Sequence, residues 1–348
     1  MATQMIAVGD VNLMNVAAGE EPFALMRGAL AAAAIRFGNL ECCLYDPPDG
    51  RAVEHEGFFA DPEIAGRALK AADFDALGLA NNVNYGEAAI EGSIARLAAL
   101  GIAHTGAGPH ARAAHAPALV ERDGLTFGFL QRSSVYWPTN HEAGESSTGI
   151  AVIRAHTAYQ VPMHKTRPEI PPLNRPGIPP EILTWADPLY LRRFRDDVAR
   201  LREAADIVVA SCHWGLFREV LHYMREIAHA AIEAGADVVV GHGPHYALPI
   251  EAYRGKPIFY GLGSFSFHTG HGGRRHGDWL GMMASLSWEG RQLRDAAFRF
   301  VRHDAQNRTV LCPLAAEGPA CDEIAKTSAA FGTRLLPRGE EVAIALPG

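Results

Sequence analysis

Two strand-like runs that each lead into histidine constrain this chain more than any other feature. Residues 207–212 are almost continuously apolar and rich in β-branched side chains, which is typical of a buried parallel strand, and they lead directly into His213. Residues 237–240 form a second such run, followed by a Gly-His-Gly-Pro-His segment that ends at His245. Because ligand sites of open α/β sheets lie at the carboxyl ends of their strands, the two runs predict imidazoles gathered at one edge of one sheet.

Strand-like and helix-like segments alternate as far as about residue 265, which predicts the α/β class. The rest of the chain is rich in strand-like segments and suggests a second sheet, so we expect a layered sandwich with helices outside. The 348 residues fit one large domain, with a body over 1–290 that is completed by 291–348. Residues 133–188 are rich in Pro, Gly, Thr and Ser and form an insertion, which is a lid, a partner-binding arm or a flexible segment.

Charge and cysteine content exclude several classes of protein. The net charge is −7 and no long Lys/Arg run occurs, so neither nucleic acid nor a membrane surface is an expected partner. The five cysteines are odd in number, and Cys42 and Cys43 are adjacent, which favours a reducing compartment over a disulfide framework. Since the sequence shows no signal peptide and no apolar stretch long enough to cross a bilayer, we expect a cytoplasmic protein.

Five polar residues follow predicted strands, namely Asp10, Glu41, Asn82, His213 and His245. A single acidic residue after a strand is most often a helix cap, but five polar residues at five strand ends predict a shared site. Carboxylate and amide oxygens suit Mg, Mn or Ca, and imidazole nitrogens favour Zn, Mn or Fe. The pattern therefore predicts a divalent-metal site, which would polarise a substrate and generate a hydroxide near neutral pH.

Eight short stretches between about residues 5 and 267 carry a family resemblance. They are 9–13 (Gly-Asp-Val-Asn-Leu), 39–41 (Asn-Leu-Glu), 80–82 (Ala-Asn-Asn), 106–108 (Gly-Ala-Gly), 211–215 (Ser-Cys-His-Trp-Gly), 234–237 (Ala-Gly-Ala-Asp), 244–245 (Pro-His) and 260–265 (Tyr-Gly-Leu-Gly-Ser-Phe). In this order they resemble the CapA family of bacterial poly-γ-glutamate capsule-synthesis proteins, whose fold belongs to the calcineurin-like metallophosphoesterase superfamily. The resemblance implies a four-layer α/β/β/α sandwich with a site between the ends of two sheets. It implies metal-ligand roles for Asp10, Glu41, Asn82, His213 and His245.

Several positions depart from the family's pattern. The histidine that follows Asn82 in the family is Val83 here, which can neither bind a metal nor transfer a proton. The first histidine of the family's Gly-x-His-Pro-His motif is Gly243, although His242 beside it is a candidate replacement ligand. The family's acid after His-Trp-Gly is Phe217. Ordinary phosphatase chemistry is therefore not expected, and the resemblance leaves open whether the site holds one divalent ion, two or none.

Catalytic roles are predicted for Asp10, His213 and His245, as ligands or as proton donors and acceptors. Substrate contacts are predicted for Asn39, Trp214, His268, Arg274 and Arg275. The last three lie in a Gly/Arg/His loop after a strand end, where cations can receive a carboxylate or phosphate unless the loop is merely flexible. The alternation of a strand points Cys212 away from the site, so we expect it in the core rather than as a nucleophile.

The predicted function is that of a soluble enzyme acting on a peptide or glutamyl-type substrate in a biosynthetic pathway. The capsule role of the resembling family is membrane-anchored and extracellular, and the absence of an anchor here favours a cytoplasmic role. The loss at Val83 suits a non-hydrolytic reaction such as epimerisation at a peptide Cα, which needs two opposed acid/base groups and no leaving-group acid. The alternatives are a metal-dependent phosphoester hydrolase and a non-catalytic protein that binds a peptide or polyglutamate through residues 133–188. The oligomeric state is not predicted by the sequence.

Overall fold

The computed structural model describes residues 2–48, 59–160, 179–267 and 279–346. Its strands are β1 (Thr3–Asn12), β2 (Ile35–Leu40), β3 (Cys43–Leu44), β4 (Phe59–Ala60), β5 (Ala76–Gly78), β6 (Ala103–Thr105), β7 (Ala107–Gly108), β8 (Ala118–Arg122), β9 (Leu125–Ser133), β10 (Gly149–Ile150), β11 (Ala155–Gln160), β12 (Glu181–Ala186), β13 (Ile207–His213), β14 (Val238–His242), β15 (Ile250–Tyr253), β16 (Lys256–Phe259), β17 (Ser264–Phe267), β18 (Gly281–Glu289), β19 (Gln292–His303), β20 (Thr309–Leu311), β21 (Leu335–Arg338) and β22 (Glu341–Ile344). Its α-helices are α1 (Arg27–Ala31), α2 (Pro62–Ala71), α3 (Glu87–Leu100), α4 (Ala111–Ala114), α5 (Pro188–Ala204), α6 (His222–Ala234) and α7 (Gly318–Ala329).

Two large sheets pack face to face, and helices cover their outer faces, so the expected four-layer α/β/β/α sandwich is confirmed. The first sheet has the order β21-β22-β19-β18-β1-β2-β5-β6, and β17 and β20 pair with β1 and β19. The second sheet has the order β15-β16-β14-β13-β9-β8. β1, β2, β5 and β6 of the first sheet run parallel to one another, as do β9, β13, β14 and β16 of the second, so the carboxyl ends of each set share one edge.

The expectation that the C-terminal strands build a second sheet is wrong. β18 pairs with β1 over residues 3–7, and β19 to β22 continue outward from β18, so the tail widens the first sheet. The second sheet comes from residues 118–259 instead. This pairing covers an edge of β1 that would otherwise leave unpaired backbone groups inside the fold.

The insertion at residues 133–188 is not one continuous loop in its described parts. β10 pairs with β7, and β11 pairs with β12 in an antiparallel ribbon. The backbone N–H of Ala186 at the base of this ribbon donates to Glu226 Oε2 on α6 (2.7 Å). α1 begins at Arg27 after a 3-10 turn over Ala24–Met26, and α6 begins at His222.

Successive side chains of a strand point to opposite faces of its sheet, so each central strand contributes to two different core layers. In β13, Val209 faces the core between the sheets, whereas Cys212 faces the outer core beneath α5 and α6, as the sequence predicted. Between the sheets, Phe37 and Phe129 stack with ring centroids 4.8 Å apart. Among the residues that the structure describes, no helix is both long and apolar enough to cross a bilayer.

Candidate metal centre

The candidate site lies between the two sheets, at the carboxyl ends of β1, β2, β13 and β14. Asp10 lies near the end of β1, where the register shifts and the strand gains β17 as a partner. Glu41 directly follows β2, and its backbone N–H donates to Val11 O (2.8 Å). Asp10 is fully buried and Glu41 is 2% exposed, so the first sheet supplies two carboxylates that are removed from water.

The second sheet supplies three histidines. His213 and His242 are the last residues of β13 and β14, and their positions share the inward direction of Val209 and Val240. His245 follows three residues after β14 with a left-handed backbone (φ 61°), and this turn brings its ring to Asp10. The prediction that neighbouring strands deliver imidazoles to one edge is confirmed by the pairing of β13 with β14.

The carboxylates and imidazoles form one cluster. His245 Nδ1 lies 3.0 Å from Asp10 Oδ2, and His245 Nε2 lies 3.8 Å from Glu41 Oε1. Ligand atoms of Asp10, Glu41 and His245 all lie within 4.8 Å of one another. His213 Nε2 is 3.5 Å from Glu41 Oε1, and His242 Nδ1 is 3.5 Å from Asp10 Oδ1. The five side chains thus form one cluster of carboxylates and imidazoles between the sheets.

Several buried atoms of this cluster have no hydrogen-bond partner within the described ranges. They are Glu41 Oε2, His213 Nε2 and both ring nitrogens of His242. An unsatisfied buried polar group costs about 1–3 kcal/mol, so four of them together are unusual. A divalent cation would accept lone pairs from Glu41 Oε2, from His213 Nε2 and from one ring nitrogen of His242, and a mixed carboxylate–imidazole donor set suits Mn, Zn or Fe. The residues present therefore fit a divalent metal.

The electrostatics of the cluster also favour a cation. Burial opposes the charge of Asp10, yet the neighbouring imidazoles of His242 and His245 hold its pKa well below the usual range. Burial and the nearby charge of Asp10 raise the pKa of Glu41 well above the usual range. Burial disfavours the imidazolium of His245, but the charges of Glu41 and Asp10 raise its pKa to about 9. A proton on His245 thus supplies the positive charge that a metal ion would supply.

Burial acts in the opposite direction on the histidines of the two strands. It lowers the pKa of His213 to about 4, with the charge of Asp10 opposing the shift. It also lowers the pKa of His242. Ser133 Oγ lies 3.3 Å from His213 Nδ1, so the side of the ring away from the cluster has a polar neighbour. His213 is therefore neutral near pH 7, the form that coordinates a metal or accepts a proton.

Asn39 supports the centre, and its predicted contact with substrate stays a prediction. Asn39 is fully buried, and its Nδ2 donates to Asp10 Oδ1 (2.9 Å). Its Oδ1 accepts from Asn81 Nδ2 and from Gln131 Nε2, both at 3.0 Å. All these polar atoms are used inside the protein, so Asn39 orients the carboxylate of Asp10, as supports of metal ligands do.

The predicted contact of Trp214 with substrate likewise stays a prediction. Trp214 is fully buried in the outer core, and its Nε1 donates to Tyr260 O (2.8 Å). Val83, where the resembling family has histidine, is 2% exposed and packs in the hydrophobic core beneath α2 and α3. The structure thus places an apolar contact, not a proton donor, at this position.

The remaining predicted site residues stay predictions. Asn82 is half-buried, its carbonyl accepts from Trp137 Nε1 (2.9 Å), and its amide makes no hydrogen bond within the described part of the chain. His268, Arg274 and Arg275 lie outside the described residues.

Two glycines permit the close approaches on which the site depends. A Cβ on Gly9 would lie 1.8 Å from Gly263 O, so only glycine lets β1 pass the turn before β17. Gly243 has φ +106°, and a Cβ there would lie 3.0 Å from His213 Nε2. The position where the family has histidine is therefore one where any side chain would be strained.

Sequence reasoning missed the residues at the end of β9. Gln131 holds Asn39, and Ser133 contacts His213. Both follow the rule that polar residues at strand ends mark a site, and β9 is the direct neighbour of β13. The polar residues at this strand end are visible in the sequence. The pairing of β9 with β13, which brings them to the site, is not.

Comparison with known proteins gives a consistent picture. A family model described as "Bacterial capsule synthesis protein PGA_cap" matches residues 4–269. The uncharacterized protein y4sH of Sinorhizobium fredii is 28% identical over 305 residues, which cover 76% of this chain and 66% of that protein. The PGA biosynthesis protein CapA of Bacillus subtilis is 41% identical over 99 residues (28% and 24%). The probable polyglutamine synthesis accessory protein Rv0574c of Mycobacterium tuberculosis is 34% identical over 195 residues (53% and 43%). The chain thus spans less than two thirds of the length of each relative.

Proposed function

Because the chain belongs to the bacterial capsule synthesis protein family PGA_cap, we propose that it is a metal-dependent enzyme acting on a peptide or glutamyl-type substrate in a biosynthetic pathway. One observation carries the proposal. Asp10, Glu41 and His245 present ligand atoms within 4.8 Å of one another, beside His213 Nε2 and the two ring nitrogens of His242, which lack hydrogen bonds in the described chain. A purely structural cluster would have paired these atoms.

The substrate class rests on the family and on the printed names of two relatives. One relative is named for PGA biosynthesis and another for polyglutamine synthesis. Both names refer to glutamate- or glutamine-containing polymers, whose backbone and side chains carry carbonyl groups. We therefore assign a peptide or glutamyl carbonyl as the group on which the centre acts.

The protein's own residues have distinct roles in this proposal. Asp10, Glu41 and His245 hold the ion, and Asn39 fixes the orientation of Asp10 through its 2.9 Å hydrogen bond. A divalent cation there would polarise the substrate carbonyl and lower the pKa of a bound water. His213 is neutral near pH 7, with its unpaired Nε2 directed at the cluster, so it can accept a proton from water or from a substrate Cα.

The apolar side chain of Val83, which stands where the resembling family has histidine, favours a reaction without a leaving group. Phosphoester cleavage and peptide hydrolysis both need a proton donor, for the leaving alkoxide or for the leaving nitrogen. In peptide hydrolysis His213 would return to the leaving nitrogen the proton that it takes from water, whereas epimerisation at a peptide Cα requires no leaving-group acid. The proposal includes both reactions, with epimerisation as its non-hydrolytic form.

The test uses full-length protein purified without a histidine tag. The metal content is measured by elemental analysis after exposure to Mn²⁺, Zn²⁺, Fe²⁺, Ca²⁺ or Mg²⁺. The loaded protein is then incubated with poly-γ-glutamate and with α-linked peptides in D₂O, and the products are analysed by mass spectrometry and chiral amino-acid analysis. We expect bound metal together with either chain cleavage or deuterium at a Cα of inverted configuration.

Matched variants separate effects on the metal centre from general effects on the protein. Glu41→Gln and His245→Ala are expected to lose metal and activity, whereas His222→Ala changes an imidazole on α6 that is 67% exposed and should change neither. His213→Ala should lower the rate more than the metal content. Absence of metal from the wild type under all ions would refute the proposal, and turnover of an aryl phosphate alone would replace it with a phosphoesterase.

A further inference from the structure

Arg218 and Tyr246 stack on each other beside the candidate metal centre. The Arg218 guanidinium carbon lies 4.0 Å from the centroid of the Tyr246 ring. Tyr246 directly follows His245, and Arg218 lies in the loop that leaves β13 after His213. Two loops that carry histidines of the centre are thus joined by a cation–π contact, which fixes the guanidinium plane.

Arg218 is not engaged in an ion pair or a hydrogen bond within the described structure. Arg218 is exposed, and the Tyr246 stack is its one interaction in the described parts of the chain. Arg302, which lines the same cleft, is different because Glu317 accepts from its Nε and Nη2 (2.6 and 2.9 Å). Stacking uses the face of a guanidinium and leaves its edge N–H groups available, and that edge matches a carboxylate in a bidentate fashion.

The cleft beside this pair is of a size that accepts part of a substrate. Its volume is about 250 Å³, and its walls include Tyr246, Ala247, Leu280 and Ile324. Glu323 also lines it, but forms no ion pair with Arg218. A cleft with both apolar and charged walls and a guanidinium at its edge suits a ligand with one carboxylate and an apolar portion.

The turn that carries Arg218 presents two further apolar side chains. Leu216 and Phe217 are 53% and 68% exposed, and a backbone bridge between Leu216 and Glu219 closes the turn. Phe217 has φ +52°, which is unfavourable for a bulky residue and is found where the surrounding structure imposes it. The turn thus holds apolar surface and a cation together at the edge of the site.

We infer that Arg218, held by Tyr246, is a carboxylate-binding subsite for the substrate of the adjacent centre. The inference rests on the proposed function for its assignment to a peptide or glutamyl substrate. The bound group is a carboxylate, from either the C-terminus of a peptide or the side chain of a glutamyl residue. In both cases the remainder of the substrate extends over Tyr246 towards His245.

Binding is tested with two probes, penta-γ-glutamate and an α-linked pentapeptide that ends in phenylalanine. Each is prepared with its free carboxylates and as the corresponding amide, and affinities are measured by isothermal titration calorimetry on the full chain. Wild-type protein should bind at least one free-carboxylate probe at least about tenfold more tightly than its amide, as expected for a charge-assisted pair. Preference for the peptide identifies the C-terminal carboxylate, and preference for penta-γ-glutamate identifies the glutamyl carboxylate.

Variants test whether Arg218 and Tyr246 cause the preference for the free carboxylate. Arg218→Gln should remove the difference between acid and amide, and Tyr246→Leu should reduce it, while Tyr246→Phe keeps the stacking ring and should retain it. Arg195→Gln, a change to another exposed arginine on α5, should have no effect. Equal binding of acid and amide by the wild type, or of neither, overturns the inference, as does a preference that survives Arg218→Gln. Metal content in the same samples tests the proposed function separately, because Arg218→Gln should retain the metal.

Discussion

His213 and His242 are register partners on the adjacent parallel strands β13 and β14, so their rings enter the space between the sheets side by side. His213 Nε2 reaches Glu41 Oε1 (3.5 Å), and His242 Nδ1 reaches Asp10 Oδ1 (3.5 Å). Each histidine of the second sheet therefore faces a different carboxylate of the first. This arrangement leaves no room for a side chain on Gly243, the residue at which the chain turns away after His242.

Gly243→Ala is expected to damage the centre more than its small size suggests. The new Cβ would lie 2.9 Å from Trp214 O and 3.0 Å from His213 Nε2, at a φ of +106°. Gly19→Ala is the matched control, because Gly19 has φ +88° and no atom within 4 Å of the new Cβ. Thermal unfolding should show a loss of about 1 kcal/mol for Gly19→Ala and more for Gly243→Ala. Only Gly243→Ala should reduce metal content, and equal effects would show that contact with His213 is unimportant.

Asn39→Leu is expected to weaken metal binding without removing a ligand. The change deletes the donor to Asp10 Oδ1 and leaves the amides of Asn81 and Gln131 without their acceptor. We expect a loss of about 1–3 kcal/mol in unfolding free energy and about 10- to 100-fold in metal affinity. Gln131→Met keeps the bond between Asn39 and Asp10, so it should lower stability but affect metal affinity much less. Equal losses of metal affinity in the two variants would contradict a positioning role for Asn39.

Asp197→Asn is expected to destabilise the fold because it leaves a buried arginine uncompensated. The Arg132 side chain is 1% exposed, and its Nη2 lies 2.5 Å from Asp197 Oδ2. We expect a loss of about 3–5 kcal/mol in unfolding free energy near pH 7. The double variant Arg132→Met/Asp197→Leu should recover much of this loss, since it removes both charges. A double variant as unstable as Asp197→Asn would show that packing, not charge, decides the stability here.

The same ion pair predicts a pH dependence of stability. Burial opposes the charge of Asp197, but His115 and Arg132 lower its pKa below the usual value. The stabilisation is therefore complete above the unfolded pKa of about 3.9 and is lost as the pH falls through the lower folded pKa. Urea unfolding of wild type and Asp197→Asn between pH 7 and pH 2.5 should show curves that converge in acid. Curves that remain parallel would rule out this linkage.

The cysteines are expected to be unreactive in the folded protein. All five are buried as free thiols, and burial raises the pKa of Cys43 to about 12 and that of Cys212 further. A thiol reagent such as 5,5′-dithiobis(2-nitrobenzoic acid) should therefore modify them only after unfolding. Cys212→Ala should retain metal and activity despite its position next to His213. Rapid labelling of Cys212, or inactivity of a folded Cys212→Ala protein, would reinstate it as a nucleophile.

Short-range patterns predicted individual elements well. Glycine is a common helix stop, and α3 ends at Gly101, which has φ +71°. Aspartate before proline is a common helix start, and Asp61 caps α2 by accepting from the backbone N–H groups of Glu63 and Ile64 at 2.9 Å. These features depend on backbone conformation within a few residues, which the local sequence specifies.

Predictions that depended on contacts between distant parts of the chain were less accurate. Asn39 and Trp214 lie in recognisable motifs, yet both are fully buried supports. Their burial depends on Gln131 and Tyr260, which come from other strands. The strands of the tail were recognised, but their assignment to a second sheet was wrong. Alternation indicates that a strand has two faces without identifying the strand with which it pairs.

The sequence by itself determined which side chains leave each strand on the same face. A period of two residues places His213 and His242 with the inward-facing residues of their strands and Cys212 on the other face, because this follows from backbone geometry alone. Only the tertiary structure decided that Asp10 meets His245 (3.0 Å). That contact joins residues more than 200 positions apart, and it forms because packing the two sheets brings their carboxyl ends to one edge. Burial at that edge then sets the charges of the cluster, which no local pattern specifies.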